Sequence, residues 1–174
     1  MFKLFRMGNF CKAVAGFYTI LLFAACHYFA SDYNKMLDGL LSKTVRLIHT
    51  DSLSLLLADS KTIHLMDCRE PEEYNISHLE NAKAVGYKQF DLNKINLTKT
   101  DIIVVYCSVG YRSERIGEKL QMAGYRHVYN LYGGIFSWHN AGKKLIDNFG
   151  KVTKKIHIYN KNWGKWVKAS EKIY

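Results

Sequence analysis

Cys107 and Arg112 stand at the two ends of Cys107-Ser108-Val109-Gly110-Tyr111-Arg112, and their spacing defines the chemistry this chain can do. A thiolate, not a thiol, is the nucleophile. It is stabilised where backbone N–H groups converge, where a helix presents its positive end, and where a cation lies close. A cysteine at the carboxyl end of a strand and ahead of a helix meets all three conditions, so Cys107 is the candidate catalytic nucleophile. Four residues separate it from Arg112. The ring of amides is therefore small: it suits one extra sulfur atom on the cysteine, a persulfide, and is tight for the tetrahedral phosphate that cysteine phosphatases hold with a longer loop. Gly110 fits a sharp turn with φ > 0. The amides of residues 108–112 are expected to donate to the thiolate and to the outer sulfur, as in an oxyanion hole. Arg112 is expected to add positive potential and to tie the loop to a carboxylate on a neighbouring element.

The elements that must position this loop follow from apolar patterning. Ile102-Ile103-Val104-Val105-Tyr106 reads as a buried parallel strand that delivers Cys107 at its end. Ser113 to Leu120 reads as an amphipathic helix leaving the loop. Upstream, the pattern predicts a linker helix over Tyr33 to Ser42, a strand over Val45 to His49, and a helix capped by Thr50 or Asp51 and running through Ala58. A strand over Ile63 to Asp67 comes next, then a short helix with Pro71 in its first turn and a strand over residues 83–87. Val128 to Leu131 is a further strand. Strands alternating with helices imply an α/β fold, an open parallel sheet with helices on both faces. Ligands bind such sheets beyond the carboxyl ends of the strands, where Asp67 and Cys107 both fall. Cys68, next along from Asp67, is expected to face the core.

These residues resemble the rhodanese family, sulfurtransferases that carry sulfane sulfur as a cysteine persulfide. Asp67-Cys68-Arg69-Glu70-Pro71-Glu72-Glu73-Tyr74 is similar to the family's Asp-x-Arg-x-x-x-Glu-Tyr segment. His78-Leu79-Glu80-Asn81-Ala82 stands where the family has His-Ile-Pro-Gly-Ala, and Asn81 can keep that turn because Asn tolerates the left-handed conformation. Tyr132-Gly133-Gly134-Ile135-Phe136-Ser137-Trp138 is similar to the stretch that starts the family's last helix. Together these cover about residues 45–145 in the family's order. The resemblance implies a two-step transfer through Cys107, with Ser108, Val109, Gly110, Tyr111, Arg112, Asp67 and Arg69 around the substrate. It implies that Arg69 pairs with acidic neighbours such as Glu73, and that Asp67 organises backbone. Family members specialised for thiosulfate place basic residues in the loop. Ser108, Val109 and Tyr111 are uncharged, which makes polysulfide or a persulfide as good a donor as thiosulfate, with cyanide or a thiol as acceptor. A non-catalytic binding module and a phosphatase- or arsenate-reductase-like enzyme are the alternatives.

The 174-residue chain has room for one such domain, residues 45–146, with a linker helix over 32–44 and a basic, Trp-containing extension over 147–174. Its formal net charge of +10 lies at the ends. Residues 1–12 carry three basic side chains and no acid, residues 143–174 carry nine lysines against Asp147 and Glu171, and residues 13–142 balance to zero. The domain therefore offers no electrostatic footprint for nucleic acid. Cysteines at 11, 26, 68 and 107 and seven dispersed histidines form no metal-ligand pattern, so neither a metal nor a cofactor is expected. Residues 1–31, basic and then uncharged from Ala13, read as a signal segment or a membrane anchor. Leu22-Phe23-Ala24-Ala25-Cys26 resembles a lipobox, so membrane attachment is expected through residues 13–30 or a lipidated Cys26, with the domain on the extracytoplasmic side. The extension is expected to pack on the domain through Ile156, Ile158, Trp163, Trp166 and Val167 with its lysines solvated.

Overall fold

The β-branched runs pair in register as one five-stranded parallel sheet of order β1-β5-β4-β2-β3. Its strands are β1 (Arg46–Ile48), β2 (Ile63–Asp67), β3 (Lys83–Ala84), β4 (Ile102–Tyr106) and β5 (His127–Leu131). The computed structural model describes residues 31–59, 62–168 and 170–174. Residues 31–40 are helical (α1). The chain divides into two units: in the first, the described residues 31–36 are helical, and the second, Leu37–Tyr174, holds the sheet. The expectations for anchoring through residues 13–30 and for Cys26 lie outside the described residues. No helix among the described residues is long and apolar enough to cross a membrane.

Helices α2 (Thr50–Ala58), α3 (Pro71–Ile76), α4 (Tyr111–Met122) and α5 (Gly134–Asn140) connect and flank the strands. β4 lies in the middle of the sheet and is solvent-free from Ile103 to Tyr106. Ile103, Val105 and Cys107 pack with Met66, Cys68, Val128, and Ile116 and Leu120 of α4. Val104 and Tyr106 alternate to the opposite face, equally buried. Asp67 is in register with Tyr106, so β2 and β4 end side by side. Cys107 and the turn carrying Arg69 thus leave the sheet together.

The boundaries differ from expectation where backbone conformation intervenes. The strand expected over residues 83–87 stops at Ala84, because Gly86 turns the chain at φ +69°. Helix α4 begins at Tyr111, not Ser113, since Gly110 at φ +107° already serves as its cap. Asn81 does adopt the left-handed conformation, at φ +63°.

The extension continues the fold. Leu145–Ile146 (β6) pairs antiparallel with Val152–Thr153 (β7), and Lys155–His157 (β8) pairs parallel with Glu171–Ile173 (β9). Ile156, Ile158 and Val167 are buried, while Lys151, Lys154, Lys155, Lys161, Lys165, Lys168 and Lys172 are exposed. β8 packs against α3.

Candidate active site

The sulfur of Cys107 sits where β4 ends and α4 begins, on a cavity of about 570 Å³. The Gly110 N–H donates to Sγ at 3.2 Å. Gly110 is held on its carbonyl side as well: its carbonyl accepts from Glu114 N at 3.0 Å and from Asn130 Nδ2 at 2.9 Å. Ser113 Oγ bonds Asn130 Oδ1 at 2.7 Å. The bond from Glu114 N is the first of the α4 ladder, so the amides of Tyr111, Arg112 and Ser113 have no carbonyl inside the helix to bond. The positive end of this 12-residue helix therefore stands next in the chain to the Gly110 amide that bonds the sulfur.

Behind the loop, α5 is docked closely enough to exclude any side chain. Ile135 N donates to the Cys107 carbonyl at 2.9 Å and Phe136 N to the Ser108 carbonyl at 3.2 Å. A Cβ on Gly134 would lie 2.2 Å from the Cys107 carbonyl oxygen, which is why the Gly133-Gly134 pair stands there.

Glu73 links α3 to the loop. Arg112 grips it with two parallel bonds, Nη1 to Oε2 at 2.6 Å and Nη2 to Oε1 at 2.7 Å, and Nη2 also reaches Ser108 Oγ at 3.0 Å. The carboxylate is pre-set by a capping box, in which Glu73 Oε2 accepts the Glu70 N–H at 3.0 Å. Burial pushes the Glu73 carboxyl up, but the bonds from Arg112 outweigh it and hold it below its ordinary range. Burial likewise works against the Arg112 charge. The bonds from Glu73 and the Cys107 sulfur beside it prevail, so the guanidinium is held above the ordinary arginine value.

The expected site residues do not all reach the cavity. Cys107, Ser108, Val109, Tyr111 and Arg112 line it, whereas Gly110, Asp67 and Arg69 do not. Arg69 is fully buried, and its partner is Asp67, not Glu73: Nη2 bonds Asp67 Oδ2 at 2.6 Å and the Ser77 carbonyl at 2.6 Å. Two residues apart at a strand end, Asp67 and Arg69 meet without spanning the turn that separates Arg69 from Glu73. The pair is buried away from the cavity and bonds backbone beside the site. Cys68 is a core thiol, as expected, and burial raises its pKa well above the ordinary range.

The cavity has a wall that sequence reasoning did not assign to it. His157, Tyr159 and Trp163, all from the extension, line it together with Leu40 and Tyr87. Arg112 lies under the Tyr159 ring at 5.3 Å from its centroid. His157 Nδ1 comes within 3.9 Å of Glu73 Oε1, yet it accepts the Tyr159 N–H at 3.1 Å and so carries no proton toward the carboxylate. Burial lowers the pKa of this imidazole, in keeping with the neutral form. The signal in the sequence was the cluster of aromatic and apolar residues in a lysine-rich tail, which shows that it packs but not on what.

Residues 49–141 match the model of the rhodanese-like domain. A sulfurtransferase of Allochromatium vinosum is 31% identical over 102 residues, covering 59% of this chain and 95% of that protein. A tRNA uridine(34) hydroxylase of Buchnera aphidicola is 36% identical over 138 residues, covering 68% of this chain; this chain spans only 42% of that enzyme's length. Among solved structures, a rhodanese-like domain protein of Staphylococcus aureus superposes with a TM-score of 0.50 at 30% identity, covering 53% of this chain and 90% of that one. A thiosulfate sulfurtransferase of Pseudomonas aeruginosa shares the fold, with a TM-score of 0.57 at 20% identity over 66% of this chain and 23% of its own. With the family model covering more than half of its residues and the same sheet beneath its cysteine loop, this chain belongs to the rhodanese-like domain family.

Proposed function

We propose that this protein is a sulfurtransferase that carries sulfane sulfur as a persulfide on Cys107 and passes it to a thiophilic acceptor. The observation that carries this reading is the Cys107 sulfur on the cavity, bonded by the Gly110 N–H at 3.2 Å, at the head of a helix whose first turn contains Arg112. In the first half-reaction the Cys107 thiolate attacks the outer sulfur of a donor. The donor's bond to that sulfur breaks, and the remainder leaves with the electron pair. In the second, cyanide or a thiolate attacks the outer sulfur of the persulfide and the Cys107 thiolate leaves. The sulfur is relayed with no external oxidant or reductant. The free amides of the first helical turn would hold the negative outer sulfur through both steps, by preorganised donors that need no reorganisation.

The likeness to the Allochromatium vinosum sulfurtransferase over nearly all of its length supports this reading. The name of the Buchnera aphidicola relative points to an RNA substrate, but this chain spans only 42% of that enzyme's length, so the proposal remains transfer to a small acceptor. We also propose that residues 13–30, or a lipid on Cys26, hold the domain at the outer face of a membrane. The basic flank and uncharged run support it, and recovery of the full chain in the soluble fraction without detergent would overturn it.

The test is mass spectrometry of the purified protein after exposure to thiosulfate or polysulfide. One added sulfur is expected on the peptide containing Cys107, and none in Cys107→Ser, whose turnover should fall to background. Equal turnover by the two proteins would overturn the assignment. Hydrolysis of an aryl phosphate at rates above sulfur transfer would favour the phosphatase-like alternative.

A further inference from the structure

The wall contributed by the extension lies outside residues 49–141, the part that matches the family model. It changes both the charge and the surface that a substrate meets. Arg112 is committed to Glu73 through two short bonds, and so has little attraction left for a free anion. Glu70, Glu72 and Lys88 also line the cavity. With His157 neutral, three carboxylates therefore stand against two cations. The side chains that line the cavity thus give a small inorganic dianion such as thiosulfate no net positive charge to bind. What the cavity does offer is ring surface: Tyr159 and Trp163 on one wall, Tyr87 and Tyr111 on others. Its volume of about 570 Å³ falls in the range of sites for small organic molecules and greatly exceeds what a sulfur anion fills.

Backbone geometry points the same way. Tyr159 has φ +64°, a conformation that a bulky side chain adopts only when its surroundings force it. Its N–H is held by His157 Nδ1, and its ring is laid over Arg112. Strain of this kind gathers at ligand clamps. Ile158, its neighbour in the chain, is buried.

We infer that the C-terminal extension makes this cavity selective for sulfur compounds that carry an organic body, with the sulfane sulfur at Cys107 and the carbon body against Tyr159 and Trp163. The inference rests on the sulfur-transfer reading and names its substrate class. A matched pair of donors tests it: thiosulfate, and benzenethiosulfonate, in which a phenyl ring replaces one charged oxygen. With the second, the Cys107 thiolate takes the outer sulfur, the bond between the two donor sulfurs breaks, and benzenesulfinate leaves with the electron pair.

The readout is the ratio of kcat/KM for benzenethiosulfonate to that for thiosulfate, measured on the full chain. In the wild type it should exceed about tenfold, the discrimination that one well-filled apolar contact supplies. Trp163→Ala and Tyr159→Ala should each bring it toward unity, while Phe149→Ser, at an 85% exposed position off the cavity, should keep the wild-type ratio. Thermal melts accompany each variant. Tyr159 is 55% exposed, so its alanine variant keeps the test open if Trp163→Ala does not fold. A wild type that prefers thiosulfate, or variants in which the ratio does not move, would overturn the inference and leave sulfur transfer standing. A wild type that gains no sulfur from either donor would overturn sulfur transfer itself.

Discussion

Glu73 and Arg112 neutralise one another at the rim of the site, and each is half of a pair that would be costly to break. Glu73→Gln keeps the shape of the side chain but leaves Arg112 facing a neutral amide. Removing one partner of a buried ion pair costs about 3–5 kcal/mol, and Arg112 is partly solvated, so a loss near the lower end is expected. Urea unfolding checks it; a loss no larger than that of an ordinary surface change, about 0.5 kcal/mol, would show that the pair is not structural. The pH dependence follows from the same carboxylate. Its folded pKa lies below the ordinary 4.5, so the unfolded chain binds the proton more tightly. The Glu73 contribution is therefore complete above about pH 4.5 and is lost as pH falls through the lowered folded value. Unfolding midpoints measured from pH 6 downward should fall more steeply in the wild type than in Glu73→Gln once the pH drops below the ordinary carboxyl value of 4.5.

At the scale of elements, three pieces fix the cysteine loop. α4 supplies the amides, α3 presents Glu73 through its capping box, and α5 bonds the carbonyls of Cys107 and Ser108 from behind. The docking of α5 depends on one missing methyl group. Gly134→Ala puts a Cβ 2.2 Å from the Cys107 carbonyl oxygen, in backbone at φ +54° that alanine also disfavours. Neither atom is the end of a flexible side chain, so the loop or the helix must shift. The expected result is a loss of sulfur transfer of about 10²-fold or more, because a displacement of about 1 Å is enough for that. Stability should fall as well, by about 1–3 kcal/mol, the usual effect of overpacking. An active Gly134→Ala protein with an unchanged melting temperature would contradict the close contact.

At the scale of the molecule, the extension is part of the same unit as the sheet and closes the site from the side of α3. Ile156 and Ile158 hold it there, and Gly164 lets the chain pass Ile158 where a Cβ would come within 2.8 Å. Ile156→Ala is expected to destabilise by about 2–4 kcal/mol. It should also make residues 155–173 exchange amide protons faster than β4 and β5, since the tail then opens without unfolding the sheet. Uniform acceleration across the whole chain would show instead that the extension and the sheet unfold as one.

Local chemistry was legible in the linear order of residues. Ile102 to Tyr106 is apolar at every position because a central parallel strand is covered on both faces, and a cysteine followed by Gly110 and Arg112 can only be presented at its end. Pro71 and Asn81 could be read for the same reason: each answers a constraint of its own backbone. The Gly133-Gly134 pair, by contrast, was recognised only through its likeness to the family's stretch, its cause being the contact with the Cys107 carbonyl. Partnerships between distant residues were not legible. Asp67, Arg69, Glu73 and Arg112 offer two acids and two bases with several possible pairings, and the ends of β2 and β4 decide which of them meet. The aromatic tail announced that it would be buried, but hydrophobic patterning has no direction, so only the packing of Lys155–His157 on α3 turned His157, Tyr159 and Trp163 into a wall of the cysteine's cavity.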